Sequence, residues 1–228
     1  MMKIKYCLPI RKNKKDEVLK IIAENPEYDF YEIWLDYIED LDAEFVKILL
    51  TEYDQKLIFV FRRNNLEEEN MDFANRKKYI EMLNGSKAYL DLDIEAQKDE
   101  VKFLTDEKLN VSLIASYHNY EETPEYEKLD KIVTKMMEIN PAVYKISTYC
   151  NSQEDALALL KVLLALNKEE VKKIILGMGE NGLITRIFGT LWDNEMVFAP
   201  LKAEEASAEG QMTKRDLETI FERIENAG

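Results

Sequence analysis

The chain has 228 residues, of which 46% are hydrophobic and 33% are charged, and its formal net charge is −14. This balance is typical of a folded globular protein and excludes a disordered one. Because phosphate backbones and anionic lipids repel so acidic a chain, the charge argues against nucleic-acid and membrane partners and leaves small molecules as candidates.

Apolar segments of strand length alternate with amphipathic segments of helix length from one end of the sequence to the other. The first four strand–helix pairs are predicted at Ile4–Leu8 and Asp16–Ala23, Phe30–Leu35 and Ala43–Tyr53, Leu57–Phe61 and Asn70–Leu83, and Ala88–Ile94 and Glu95–Leu104. The next four are predicted at Val111–Ser116 and Pro124–Ile139, Val143–Thr148 and a helix from Asn151 or Ser152 to Leu166, Lys173–Leu176 and Asn181–Leu191, and Met196–Leu201 and Thr213–Asn226.

Eight strand–helix units without a linker or a change of composition predict a parallel sheet covered by helices. At this length they fit a single (β/α)8 TIM barrel domain that spans residues 1–228. An open doubly wound sheet is the alternative, although no glycine-rich phosphate loop follows an early strand. Thr123 with Pro124, and Thr213 with Asp216, have the residue types of helix N-termini.

The cysteines and the N-terminus bear on the cellular setting. Cys7 and Cys150 are too few for a disulfide framework and lack the spacing of metal ligands, so we expect both to be reduced and partly buried. Residues 1–9 contain no apolar run of signal-peptide length, and no segment is long enough to span a bilayer. A cytoplasmic protein is the simplest expectation.

The sequence contains one histidine, His118, placed directly after the apolar run of the fifth predicted strand. Catalytic groups of (β/α)8 barrels stand at the C-terminal ends of the strands, and imidazole is suited to proton transfer near neutral pH. If the chain carries out acid–base chemistry with imidazole, His118 is the group. A surface or capping histidine is the structural alternative.

Lys145 interrupts the sixth predicted strand, where lysine is rare unless it is paired or functional. A desolvated lysine has a lowered pKa, and its neutral amine can attack a carbonyl to form a Schiff base. The alternative is a lysine whose ammonium reaches solvent from the strand end. From this strand alone the two interpretations have similar weight, and a histidine on the neighbouring strand favours the first.

Other polar residues follow the predicted strands. Asp93 could orient the imidazole, with Asp91 and Glu95 as rivals, or it could cap the next helix. Arg62 and Arg186 have the fork geometry that recognises a carboxylate or a vicinal diol. The loop from Ser207 to Gln211 combines a hydroxyl, a glycine and an amide, which suits either a hinged lid or an ordinary polar loop.

Seven segments, in order along nearly the whole chain, resemble the motifs of the type I 3-dehydroquinate dehydratases. They are residues 32–36 (EIWLD, resembling E-x-R-x-D), 59–62 (FVFR, F-T-x-R), 89–93 (YLDLD, Y-x-D-x-E), 116–124 (SYHNYEETP, S-x-H-D/N-F…T-P), 143–146 (VYKI, a K-I strand), 177–186 (GMGENGLITR, M-G-x-x-G-x-x-S-R) and 206–211 (ASAEGQ, A-S-A-P-G-Q). Seven segments in the right order on the right strands make the resemblance specific.

The resemblance implies a shikimate-pathway enzyme that removes water from 3-dehydroquinate and gives 3-dehydroshikimate. A lysine Schiff base, a proton-transferring histidine and an orienting carboxylate would carry the reaction, while other residues bind ring hydroxyls and the substrate carboxylate. The implied catalytic residues are Lys145, His118 and Asp93, and the implied substrate ligands are Glu32, Arg62, Arg186, Ser207 and Gln211. The resemblance further implies a (β/α)8 barrel, commonly as a homodimer, with no metal or organic cofactor.

The chain departs from the family pattern in four ways: the usual glycines after F-x-R are absent at residues 64–67, and three single residues differ. Trp34 stands where the motif has an arginine, Asp93 where it has a glutamate, and Glu209 where it has a proline. Losing a charged hydrogen bond could weaken ligand binding about tenfold or more. Arg63 or Arg11 could replace the missing arginine, but the sequence does not show which.

Two other functions remain open from the sequence. A Schiff-base barrel of the class I aldolase type could act on another keto acid, since Trp34 and Asp93 alter the wall expected to bind the ring. A non-catalytic paralogue that acts as a binding protein is the other, and retention of both Lys145 and His118 argues against it.

Overall fold

The computed structural model describes residues 3–68 and 71–227. Strands and helices alternate along the chain. The strands are β1 (Tyr6–Ile10), β2 (Phe30–Trp34), β3 (Leu57–Val60), β4 (Tyr89–Asp93), β5 (Ser112–Asn119), β6 (Val143–Tyr149), β7 (Lys173–Met178) and β8 (Val197–Phe198). The helices are α1 (Lys15–Glu24), α2 (Ala43–Tyr53), α3 (Phe73–Met82), α4 (Lys98–Asp106), α5 (Tyr126–Ile139), α6 (Gln153–Lys168), α7 (Gly179–Leu191) and α8 (Lys214–Glu225).

These strands belong to one sheet, and the pairs described are parallel. The chain divides into two compact units, residues 10–116 and residues 1–9 with 117–228. In the first unit, β2 pairs with β3 and β3 with β4, and β4 pairs with the first five residues of β5. In the second unit, β1 pairs with β8, and β6 pairs with β7. The predicted (β/α)8 fold class is confirmed, whereas the single domain stays a prediction.

Apolar patterning and capping residues explain where these elements form. All four residues of β3 (LIFV) are apolar and buried, as expected of a parallel strand covered on both faces. α2 begins after Asp42, whose carboxylate accepts a hydrogen bond from the Phe45 N–H at 2.8 Å. Ser152 caps α6 in a reciprocal capping box with Asp155.

The fifth strand is longer than predicted, and this changes the setting of His118. β5 continues to Asn119, so the histidine lies within the strand near its C-terminal end and not beyond it. The prediction stopped at Ser116 because polar residues follow the apolar run, although residues 117–119 keep extended backbone. The residue is 8% exposed, so it is not a surface histidine.

Several other boundaries differ from the predictions. Thr123 does not cap α5, which begins at Tyr126; its hydroxyl instead lies 2.8 Å from the Thr148 hydroxyl and donates to the Tyr149 carbonyl at 2.9 Å. The fourth helix begins three residues later than predicted, and β8 contains only two residues. Asn70, the predicted first residue of the third helix, lies outside the described residues.

The structure also bears on the cellular predictions. Cys7 and Cys150 are both buried and neither forms a disulfide. In the part of the chain that is described, no helix has the length and apolar character needed to cross a membrane.

Candidate active site

Lys145 lies within β6, and its side chain is shielded from solvent. The residue is 4% exposed, and its Nζ lies 4.7 Å from the centroid of the Phe198 ring on β8. A lysine whose ammonium reached solvent from the strand end would be far more exposed, so that interpretation does not hold. The amine is instead buried beside an aromatic ring, and desolvation is one of the settings that activate a lysine nucleophile.

His118 lies on β5, the strand before β6 along the chain. Its imidazole packs edge-to-face against the Tyr120 ring, with centroids 6.3 Å apart. Because the residue lies near the carboxyl end of its strand, it occupies the part of a (β/α)8 barrel where catalytic groups stand. Its predicted role as acid and base is not tested by these contacts and stays a prediction.

Arg186 is a buried cation whose donors are largely unused. It lies within α7 and is 1% exposed. Its Nη2 donates to the Glu209 carbonyl at 3.3 Å, while buried Nε and Nη1 have no hydrogen-bond partner among the described residues. Burial lowers the pKa of Arg186 to about 10, so the guanidinium remains charged at neutral pH. Unpaired buried donors of a charged group are costly, and an anionic ligand would satisfy them.

The 207–211 loop lies against α7 beside this guanidinium. Gly210 has a φ of +83°, and a Cβ there would lie 3.0 Å from the Gly179 carbonyl oxygen and 3.7 Å from Arg186 Nε. The positive φ therefore favours glycine, and the close approach leaves little space for a side chain. The Ser207 N–H donates to Gln211 Oε1 at 2.9 Å, and Gln211 Nε2 donates to Ser207 Oγ at 3.0 Å. The structure thus brings the predicted carboxylate ligands together.

The compact unit of residues 10–116 contains the other candidate ligands. Glu32 is 3% exposed, and its Oε2 accepts a hydrogen bond from Trp34 Nε1 at 3.1 Å. The tryptophan at the position of the motif arginine therefore donates a hydrogen bond to the Glu32 carboxylate. The sequence could not show this contact, although residues 32 and 34 lie on the same face of a strand.

Arg62 and Arg63 have different surroundings, and the sequence distinguished them poorly. Arg62 donates to the carbonyl oxygens of Asp36 (3.0 Å) and Glu68 (2.8 Å). Arg63 is 2% exposed, and its Nη1 donates to Glu67 Oε1 at 3.0 Å. Arg63 is a site candidate that the sequence analysis named only as a substitute for the missing arginine. Arg11, the other substitute considered, is exposed.

Two buried carboxylates lie on β4. Asp91 accepts a hydrogen bond from the Ser116 hydroxyl at 2.6 Å, and its Oδ1 lies 4.0 Å from Arg63 Nη2. Asp93 Oδ1 accepts from the N–H groups of Glu95 and Ala96, both at 2.8 Å. One oxygen of Asp93 therefore stabilises the turn after the strand, in line with the structural alternative. Its role toward His118 stays a prediction.

No group of three or more histidine, cysteine, aspartate and glutamate side chains is arranged to hold a metal ion within residues 3–68 and 71–227.

The chain resembles known proteins along its whole length. The family model described as type I 3-dehydroquinase matches residues 6–227. A 3-dehydroquinate dehydratase of Methanococcus maripaludis (strain C5) is 30% identical over 227 residues, which cover 96% of this chain and 99% of that protein. The 3-dehydroquinate dehydratase of Methanocaldococcus jannaschii is 32% identical over 224 residues, which cover 95% and 96%.

A solved structure agrees on the fold. The 3-dehydroquinate dehydratase of Geobacillus kaustophilus superimposes with a TM-score of 0.84 at 21% identity, covering 99% of this chain and 92% of that one. The fold, together with the buried lysine on β6, is that of a (β/α)8 barrel enzyme. The chain belongs to the type I 3-dehydroquinase family.

Proposed function

We propose that this chain removes water from 3-dehydroquinate, with Lys145 as the nucleophile and His118 as the acid and base. Membership of the family makes it a 3-dehydroquinate dehydratase, a hydro-lyase of the shikimate pathway. The observation that carries the assignment of the nucleophile is the burial of Lys145 against the Phe198 ring. Desolvation is one of the ways in which a protein activates a lysine as a nucleophile for carbonyl carbon.

The proposed reaction begins when the Lys145 amine adds to the substrate ketone at C3 and expels water, which forms an iminium ion. The iminium withdraws electrons, so the C2 proton becomes acidic and His118 accepts it. The resulting enamine expels the C1 hydroxyl, which leaves as water with the proton that His118 returns. Hydrolysis of the new iminium releases 3-dehydroshikimate and frees the lysine, so the net change is the loss of one water.

The remaining residues are proposed to hold the substrate. Arg186 binds its carboxylate, since two buried donors of this guanidinium have no hydrogen-bond partner among the described residues, and Ser207 and Gln211 bind neighbouring oxygens. Glu32 and Arg62 bind ring hydroxyls, and the burial of Arg63 adds it to this group. Asp93 orients His118. The lysine itself is the electron sink, so the proposal includes no metal and no organic cofactor.

The activity is tested by mixing purified protein with 3-dehydroquinate and following ultraviolet absorbance of the conjugated enone in the product. We expect absorbance to rise with wild-type protein. Borohydride trapping with 3-dehydroquinate and with other keto acids tests whether a different substrate is preferred, as in the aldolase-type alternative. A protein that binds 3-dehydroquinate but forms no enone at high protein concentration would contradict the proposal.

Arg186→Met is expected to raise the KM for 3-dehydroquinate about tenfold or more, because a charged hydrogen bond to the substrate carboxylate is lost. It is not expected to lower the melting temperature, because the guanidinium is buried with two donors unpaired and methionine removes that cost. Steady-state kinetics and thermal unfolding of the same preparation measure both effects.

Arg76 provides a matched control for Arg186, since it is also 1% exposed but its Nη1 donates to Glu100 Oε1 at 2.8 Å. Arg76→Met leaves a buried carboxylate unpaired, so we expect a clear drop in melting temperature with little change in KM. If Arg186→Met instead lowers the melting temperature and leaves KM unchanged, Arg186 is a structural residue.

We also propose that the chain forms a homodimer through an apolar patch on α6 and α7. Exposed apolar side chains cover this face: Leu157 and Leu164 on α6, Ile184 and Phe188 on α7, and Trp192 directly after it, with exposed fractions between 38% and 60%. The two helices pack against each other, and the Phe188 and Trp192 rings lie 5.5 Å apart. Large exposed apolar patches mark interaction sites, and five exposed apolar side chains on two packed helices support one here.

Light scattering after size exclusion tests the dimer. We expect a mass near twice the 26.8 kDa of one chain for the wild type, and a mass near one chain for Phe188→Asp. Ile48→Asp is the control, because Ile48 is a similarly exposed residue on α2. A monomeric wild type would refute the dimer, and a dimeric Phe188→Asp would place the interface elsewhere. The cytoplasmic location stays a prediction.

A further inference from the structure

We propose that Trp34 is a positioning residue that fixes Glu32 and Arg63 as a paired acceptor and donor for the substrate hydroxyl groups. The proposal rests on the function proposed above. It also concerns a residue that departs from the family pattern, where an arginine is expected at this position. Trp34 is 6% exposed and lies at the last position of β2.

The indole edge of Trp34 holds the carboxylate of Glu32. Nε1 donates to Glu32 Oε2 at 3.1 Å within a buried environment. A glutamate side chain has three rotatable bonds, and a hydrogen bond from a rigid ring two residues along the same strand removes much of that freedom. The hydrogen bond from Trp34 uses one of the lone pairs that the two carboxylate oxygens carry.

The indole face of Trp34 supports the guanidinium of Arg63. The guanidinium carbon lies 5.2 Å from the ring centroid, within the range of a cation–π contact. Glu67 also holds this arginine, since its carboxylate accepts hydrogen bonds from Arg63 Nη1 at 3.0 Å and from the Arg63 backbone N–H at 2.6 Å. Arg63 thus contacts an aromatic face and a carboxylate, and its Nη2 lies 4.0 Å from Asp91 Oδ1.

A second aromatic ring separates Arg62 from Arg63. Tyr37 packs edge-to-face against Trp34 at 5.8 Å and 87°, and the Arg62 guanidinium lies 4.3 Å from the Tyr37 centroid. Two arginines that are adjacent in sequence repel each other when they point the same way. The aromatic pair gives each guanidinium its own ring, so Arg63 can remain buried while Arg62 pairs with Asp36.

This arrangement explains how the chain can lack the motif arginine. Trp34 carries no positive charge, but its ring orients the guanidinium of Arg63 in the loop after β3. Its indole N–H also donates a hydrogen bond to Glu32. An arginine at position 34 would place a second cation against Arg63. Restoring the family residue is therefore expected to give no gain in substrate affinity.

The test is steady-state kinetics of Trp34→Phe, Trp34→Leu and Trp34→Arg with 3-dehydroquinate. The phenylalanine variant keeps an aromatic face and loses the N–H, so we expect KM to rise about threefold; the leucine variant loses both, and we expect a rise of about tenfold. We expect kcat to stay within about twofold in both, because the reacting atoms are not touched. Trp34→Arg is expected not to lower KM.

Phe103→Leu is the matched control, since it removes an aromatic ring on α4 that has a cation–π contact with Lys77 at 5.4 Å, and it should leave KM unchanged. If the wild type forms no enone, the proposed function fails and this inference falls with it. If the wild type is active but the phenylalanine and leucine variants keep its KM, or if Trp34→Arg lowers KM, the inference alone is wrong. A fall in kcat at constant KM would also overturn it. Should Trp34→Leu not fold, Trp34→Phe decides.

Discussion

Lys145→Ala is expected to abolish both turnover and borohydride trapping, with a loss of kcat of about 10⁴-fold or more. Without the amine no iminium forms, and the C2 proton loses the electron sink that makes it acidic. Reduction of a wild-type mixture with borohydride should add the mass of the reduced adduct to the peptide that contains Lys145. Mass spectrometry of intact and digested protein measures this together with the enone assay.

Lys173 is the matched control for Lys145. It also lies in a strand and is 2% exposed, but its Nζ donates to Asp193 at 2.7 Å, so a carboxylate holds its charge. Lys173→Ala should keep turnover and adduct formation, although the loss of the ion pair should lower stability. An adduct that persists in Lys145→Ala, or that moves to Lys173, would show that the nucleophile has been misassigned.

The comparison of these two lysines shows what the sequence could predict about the site. Both interrupt or begin an apolar strand. Lys145 was predicted to be a nucleophile because a histidine lies on the preceding strand, whereas Lys173 was not considered. Only the structure shows that Lys173 has a carboxylate partner and that Lys145 faces an aromatic ring. Partners that are distant in sequence, such as Phe198, depend on the tertiary fold and leave no local signal.

The elements themselves were predictable where local chemistry determines them. α2 spans the predicted residues Ala43–Tyr53, because an aspartate cap and a regular apolar stripe agree. Thr213 caps α8 and bonds to Asp216, as predicted. Thr123 has equally good capping chemistry, yet its hydroxyl is used by Thr148 and the Tyr149 carbonyl. A tertiary hydrogen bond there outweighs a local preference.

Ends of strands were the least predictable part, and they are where the candidate ligands lie. Arg62 and Arg63 are adjacent residues of the same type, so the sequence does not show which side chain is buried. That depends on where the extended backbone of β3 ends. The structure ends the strand at Val60, after which strict alternation no longer applies. In the same way Trp34 was identified from the motif as a missing charge, whereas its contacts with Glu32 and Arg63 required coordinates.

His118→Ala is expected to lower kcat by about 10²–10⁴-fold while leaving borohydride trapping with 3-dehydroquinate intact. The lysine can still form the iminium, but no imidazole remains to accept the C2 proton or to return it to the leaving hydroxyl. The rate at which the C2 hydrogen of the substrate exchanges with deuterium from heavy water should therefore fall in parallel with turnover.

Tyr120→Phe is the control, since Tyr120 packs against the imidazole but is 37% exposed. We expect the rate of this variant to be within about threefold of the wild type. A wild-type rate in His118→Ala would show that another group transfers the proton, whereas loss of trapping together with turnover would place His118 in the formation of the iminium.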